Sequence, residues 1–124
     1  VNIDDAALAE LSVIHDQLTD AYAVDDGDRA VRLNHEFHRA INVAADSPKL
    51  AQLMSQITRY APESVFPTIA GWPARSVADH ARILAALRAH DAEAARAAMS
   101  DHLAAGATPL IEHLVNHGVA QKAT

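Results

Sequence analysis

Apolar residues recur every three or four positions along most of the chain, broken by short polar or glycine- and proline-containing stretches, and five helices can be read from that rhythm. The first spans about 4–24. Leu8, Leu11, Leu18 and Tyr22 share one stripe, and Asp4 and Asp5 sit where negative charge complements a helix N-terminus. Val24-Asp25-Asp26-Gly27-Asp28 ends it. Those acidic letters are similar to an EF-hand loop, but Glu36, at the twelfth position, lies inside the next helix, so the segment reads as a turn and a cap. The second helix spans about 28–46 and buries Leu33, Phe37, Ala40, Ile41 and Ala44. Ser47-Pro48 supplies a cap followed by proline at the first helical position, opening a third helix over 48–61 with Leu50, Leu53, Met54 and Ile57 inward.

Residues 62–75 form the one long irregular stretch, with Pro62, Pro67, Gly71 and Pro73; its Phe66, Ile69 and Trp72 are apolar enough to fold back over the other helices. Ser76 is expected to cap the fourth helix, with Val77, Ala81, Leu84 and Leu87 as its stripe. Asp91 caps the fifth, which is expected to run to about His117 and stop at Gly118. Pro109 lies inside it and removes a hydrogen bond to the Ala105 carbonyl, so a bend is expected there. No strand alternation, internal repeat or low-complexity tract interrupts this pattern. The expected fold is all-α, an antiparallel helical bundle forming a single domain over 1–124.

Composition narrows the function classes. The 124 residues suffice for one domain with a core. Half are hydrophobic but only Tyr22, Phe37, Tyr60, Phe66 and Trp72 are aromatic, so alanine-rich helices must approach closely. Sixteen acidic against ten basic residues give a net charge of −6, which argues against the chain itself gripping nucleic acid. Without cysteine, any transition metal must be held by imidazole and oxygen. The chain opens on Val1 and its first methionine is Met54, so a preceding segment is expected. Neither a signal-peptide pattern nor an apolar run long enough to span a membrane is present, and a soluble cytoplasmic domain is the expectation.

The candidate chemistry lies in Asn34, His38, His80 and His102. His80 precedes His90 by ten residues and His102 follows Asp91 by eleven. At the helical rise both rings stand about 15–17 Å from the intervening turn, and hence at the same height on two antiparallel helices. Asn34 and His38, four apart, share one helix face. Three imidazoles and an amide oxygen suit zinc, nickel or a similar divalent ion, with positions left for water or ligand. Each histidine taken singly reads more simply as surface or hydrogen-bonded core. His35, three before His38, could shift the pair by one residue. His113 and His117 read as cations near a helix C-terminus, since His113 lies about 16 Å along the helix from His102.

The run Leu33-Asn34-His35-Glu36-Phe37-His38-Arg39-Ala40-Ile41 resembles a D-x-x-F-H-x-x-[LI] segment of FCD domains, the effector-binding C-terminal half of many GntR-type bacterial transcription regulators. So does Asp79-His80-Ala81-Arg82-Ile83-Leu84-Ala85-Ala86-Leu87, followed by His90-Asp91-Ala92-Glu93-Ala94-Ala95-Arg96, Met99 and His102-Leu103. The similarity covers about residues 8–115. It implies a dimerising helical domain that binds a small molecule, often a carboxylate, in its interior. Many members hold a divalent metal with one Asp and three His. The histidines carried over are His38, His80 and His102, and Asn34 stands at the Asp position. An amide is neutral and a weaker ligand for a hard cation. The consequence is weaker metal binding, a carboxylate effector supplying the missing charge, or a metal-free site. Zinc is the expected ion, with nickel and manganese as alternatives.

The resemblance further implies a winged-helix DNA-binding domain and a first effector-domain helix, neither of which is seen in this chain, so DNA would be a partner only through that preceding domain. For the effector carboxylate Arg59 is the preferred arginine, then Arg75 and Arg82, and Phe66 and Trp72 are candidate lids. Solvated arginines and core-filling aromatics are the simpler readings of each. Two rival functions remain at this point: a metal-dependent hydrolase using metal-bound water, and a metal-free dimerisation bundle. Against the enzyme, no carboxylate is expected beside the cluster, because Asp79 and Asp101 should point away from the histidine that follows each.

Overall fold

Two short turns built on the same plan set the architecture. In the computed structural model, which describes residues 3–44, 67 and 69–116 (the side chains at 113 and 114 excepted), four helices appear. They are α1 (Asp5–Ala23), α2 (Gly27–Ala44), α3 (Trp72–Arg88) and α4 (Ala92–Asn116). The expected helix over 48–61, its Ser47-Pro48 start and the stop at Gly118 lie outside the described residues. No strand occurs among the described residues, and the bundle is all-α as the periodicity predicted.

Each turn has three residues. After α1 the chain enters the left-handed region at Asp25 (φ 56°), and after α3 at His90 (φ 52°). Asp26 N–H then donates to the Ala21 carbonyl at 2.9 Å and Asp91 N–H to Ala86 at 3.0 Å, while Asp25 and His90 donate to Tyr22 and Leu87. This pair of bonds is the Schellman closure, which satisfies carbonyls that a helix end leaves bare. The aspartate that completes each closure also starts the next helix: Asp26 Oδ1 accepts from Arg29 N–H and Asp91 Oδ1 from Ala94 N–H. Asp4 caps α1 in the same way through Ala7 N–H. One residue therefore serves two helix ends.

A non-glycine residue in the left-handed region is strained by about 1–2 kcal/mol, and glycine gives back about 0.5–1 kcal/mol of that as chain entropy. His90→Gly is accordingly expected to stabilise the domain by about 0.5–1 kcal/mol, and Asp91→Ala to destabilise it by about 1 kcal/mol through the lost cap. Thermal unfolding of the two variants should move in opposite directions.

Helix α1 packs against both α2 and α3, and α3 against α4. Leu8, Leu11, Ile14, Leu18 and Ala21 line its buried side; Ala30, Leu33, Phe37 and Ile41 face them from α2. From the other pair come Ile83, Leu84, Leu87, Ala95 and Ala98. Helix α4 continues through Pro109 to Asn116.

Helix α3 departs from expectation. It begins at Trp72, not Ser76, with Gly71 (φ 80°) as the turn residue before it and Pro73 in its first turn. Proline there forfeits nothing, because the first N–H groups have no helical partner. Ser76 is instead buried within the helix. The inward face is Trp72, Ser76, Asp79, His80, Ile83, Leu84 and Leu87, whereas Ala81 is exposed and Val77 only half-buried. The face is turned from the expected one, and its N-terminal half is polar.

Candidate metal and effector site

Three helices converge on one polar centre. Helix α2 presents His38, α3 presents His80 and α4 presents His102, all buried. His35 is exposed, so the rotation of α2 brings His38 inward rather than its neighbour. The ring centroids form a triangle: His38 to His80 5.1 Å, His38 to His102 5.3 Å, His80 to His102 4.8 Å. One nitrogen from each ring lies within 4.8 Å of the others. The equal heights inferred from the spacing about the turn are thus realised, with the Nε2 atoms of His80 and His102 only 3.2 Å apart.

Apolar contacts fix these rings. Phe37 lies parallel to His80 at 4.2 Å, and Trp72 stacks on His102 at 5.5 Å. Trp72, expected in a loop, therefore lies against the cluster from the first turn of α3. Asn34, half-buried one turn before His38, has its Oδ1 buried with no hydrogen-bond partner among the described residues.

A carboxylate does reach the cluster, contrary to the expectation for Asp79. It is buried, and its Oδ2 accepts from His102 Nδ1–H at 2.9 Å. Arg75 Nε–H, one turn earlier on α3, donates to both carboxylate oxygens at 2.8 and 3.0 Å. Asp79 can turn inward beside His80 because α3 is enclosed on more than one side, by α1 and by α4. Asp101 behaves as expected: it is exposed and pairs with Arg82 at 3.4 Å on the outer surface. Arg82 thus stands away from the rings, in an ion pair of the kind that contributes little. Arg75 is half-exposed and joined to the cluster through Asp79. Arg59, Phe66 and His117 lie outside the described residues, as does the side chain of His113.

Burial decides the protonation of the centre. It pushes His38 down to about 3, helped by His102 and His35. It holds His80 well below the ordinary imidazole value, with His38, His102 and His15 adding to the effect. His102 is also lowered by burial, against the pull of Asp79. Burial alone would raise the Asp79 carboxyl, but the bonds from His102 and Arg75 outweigh it and keep the group ionised. Three neutral imidazoles are the form in which histidine binds metal.

The hydrogen-bond count sharpens this. An ionised carboxylate only accepts, so His102 carries its proton on Nδ1 and has a lone pair on Nε2. His80 can donate from Nε2 to that lone pair, but its buried Nδ1 then has no partner among the described residues. In the other tautomer two lone pairs face each other, and a cation between them resolves the conflict. Two imidazole nitrogens on one tetrahedral zinc stand about 3.3 Å apart, given Zn–N of about 2.0–2.1 Å. The donor set and the 3.2 Å spacing fit a divalent ion.

The FCD domain model matches residues 1–105, most of the chain and all three of these histidines. The chain belongs to the FCD family. No curated protein and no solved structure matches it. FCD domains are effector-binding regulatory domains, found in the context of GntR-type regulators, and the all-helical bundle with its interior site agrees with that class. No helix among the described residues is long and apolar enough to cross a membrane.

Proposed function

We propose that this FCD domain senses a small carboxylate at a divalent ion held by His38, His80 and His102, and that it works as the dimeric, cytoplasmic ligand-sensing part of a GntR-type transcription regulator. The observation that carries the reading is the 3.2 Å approach of the His80 and His102 Nε2 atoms, beside a buried His80 Nδ1 with no partner among the described residues. Zinc suits an all-imidazole set best, with nickel or manganese as alternatives. The ion supplies positive charge for an anion to meet. Asn34, adding only a neutral amide oxygen, leaves more of that charge uncompensated than a carboxylate would, so an anionic guest is favoured.

Among the described residues, Arg75 is the arginine best placed to recognise the guest, while Arg59 keeps its place as a candidate from the sequence. Its bonds to Asp79 use Nε, leaving the terminal nitrogens, among the described residues, as a fork for a carboxylate. Effector affinity that differs between two helix arrangements would shift their populations and so the DNA-binding domains attached.

The hydrolase reading loses ground on Asp79. That carboxylate meets His102 at the nitrogen facing away from the shared centre, and both its oxygens are engaged by Arg75. It is not free to take a proton from a water at the centre.

Metal analysis of untagged protein, beside His80→Ala and His102→Ala, tests the site: about one equivalent of divalent ion is expected in the wild type and little in either variant. Equal content in all three would reject it. A panel of hydroxy-, oxo- and dicarboxylates should raise the thermal midpoint without being converted, and Arg75→Gln should weaken the best of them about tenfold. Turnover of any of these would overturn sensing in favour of catalysis.

A further inference from the structure

We propose that Asp79 is a positioning residue: by accepting a hydrogen bond from His102 Nδ1–H it keeps that ring's Nε2 lone pair turned toward His38 and His80. The assignment rests on the metal-centred reading for its purpose, but its geometry stands apart from it. Among the described residues His102 is the cluster ring held by a carboxylate, at 2.9 Å. The carboxylate is itself locked, because Arg75 reaches both oxygens from one turn away. Trp72 stacks at 22° to the His102 ring and restricts its rotation. Rotation and proton position are therefore both set before any ligand arrives. His80 differs: Phe37 fixes its plane, but its buried Nδ1 meets no partner among the described residues.

A carboxylate behind a metal-binding imidazole does two things. It selects the tautomer, and it raises the electron density at the opposite nitrogen. Arg75 moderates the second effect by sharing the same charge, while ensuring the first by fixing where the oxygens lie. Two residues that carry no ligand atom would thus decide how well a third one binds.

The test has two readouts. In metal-free wild type, nitrogen-detected NMR of the imidazoles should find His102 as the Nδ1–H tautomer. In Asp79→Leu that preference should disappear, and zinc affinity should fall 10- to 100-fold, the usual loss when such a partner is removed. Asp79→Asn retains an oxygen acceptor of the same size, so it should keep the tautomer, lose less affinity and guard against a leucine variant that does not fold. Helical circular dichroism of the metal-free variants should match wild type.

His102 remaining Nδ1–H in a folded Asp79→Leu, or zinc affinity within twofold of wild type, would overturn the proposal. A wild type that binds no zinc while its His102 is held as Nδ1–H by Asp79 would reject the metal centre and still support the positioning.

Discussion

Adding zinc to the metal-free domain at about a thousand times its dissociation constant is expected to stabilise it by roughly 4 kcal/mol. For a chain of this length that corresponds to a rise of roughly 15 °C in the thermal midpoint. The effect should be absent in His80→Ala and His102→Ala. His80→Ala also leaves a hole beneath the Phe37 ring, which stacks on it at 4.2 Å. It will therefore unfold earlier with or without metal, and the comparison that matters is each variant against itself in zinc and in chelator. Identical midpoints for the wild type under the two conditions would remove the metal from the account.

Acid should destabilise the metal-free domain. The rings of His38, His80 and His102 are all held below the ordinary imidazole value of about 6.5 by burial. Below that value the unfolded chain takes up protons that the folded one refuses, so stability falls with pH. The loss begins near 6.5 and continues toward about 3, where His38 would titrate in the fold. At pH 5.5 the His38 ring, still neutral in the fold, costs roughly 1 kcal/mol relative to pH 7.5, and His80 and His102 add losses of the same sign. Asp79 does not contribute between pH 7.5 and 5.5, because its carboxyl is ionised in both states there. Denaturant unfolding in chelator at the two pH values measures the difference directly. A flat profile between them would mean that the rings are open to water.

Where burial is apolar, the chain announces its fold. The stripe of Leu8, Leu11 and Leu18 and the Asp-containing turns place α1 and α2 within one or two residues of their observed ends, and Asp91 starts α4 as expected. Sequence reading fails at the N-terminal half of α3, where the inward side is Ser76, Asp79 and His80. Aligning the helix on Val77 and Ala81 kept His80 at the core edge but left Ser76 and Asp79 off the inward face, and it moved the helix start to Ser76. The same rotation hid Asp79. Adjacent helical residues point about 100° apart, so a buried histidine argues against a buried neighbour unless the helix is enclosed on two sides. One signal was available: Arg75 stands four residues before Asp79, the spacing of an ion pair along a helix.

The histidine positions were legible for a different reason. Ring height depends on residue count from the turn, and a three-residue Schellman turn leaves little freedom in that count. Asn34 is the residue whose chemistry the fold explains least: its oxygen is buried with no hydrogen-bond partner among the described residues.

The repeated turn has a mechanical consequence. Each one closes a pair of helices adjacent in the chain, so the described residues form two locally assembled halves that meet along the seam between α1 and α3. His38 belongs to one half, and His80 and His102 to the other. An occupant of the centre would therefore act as a clasp across that seam.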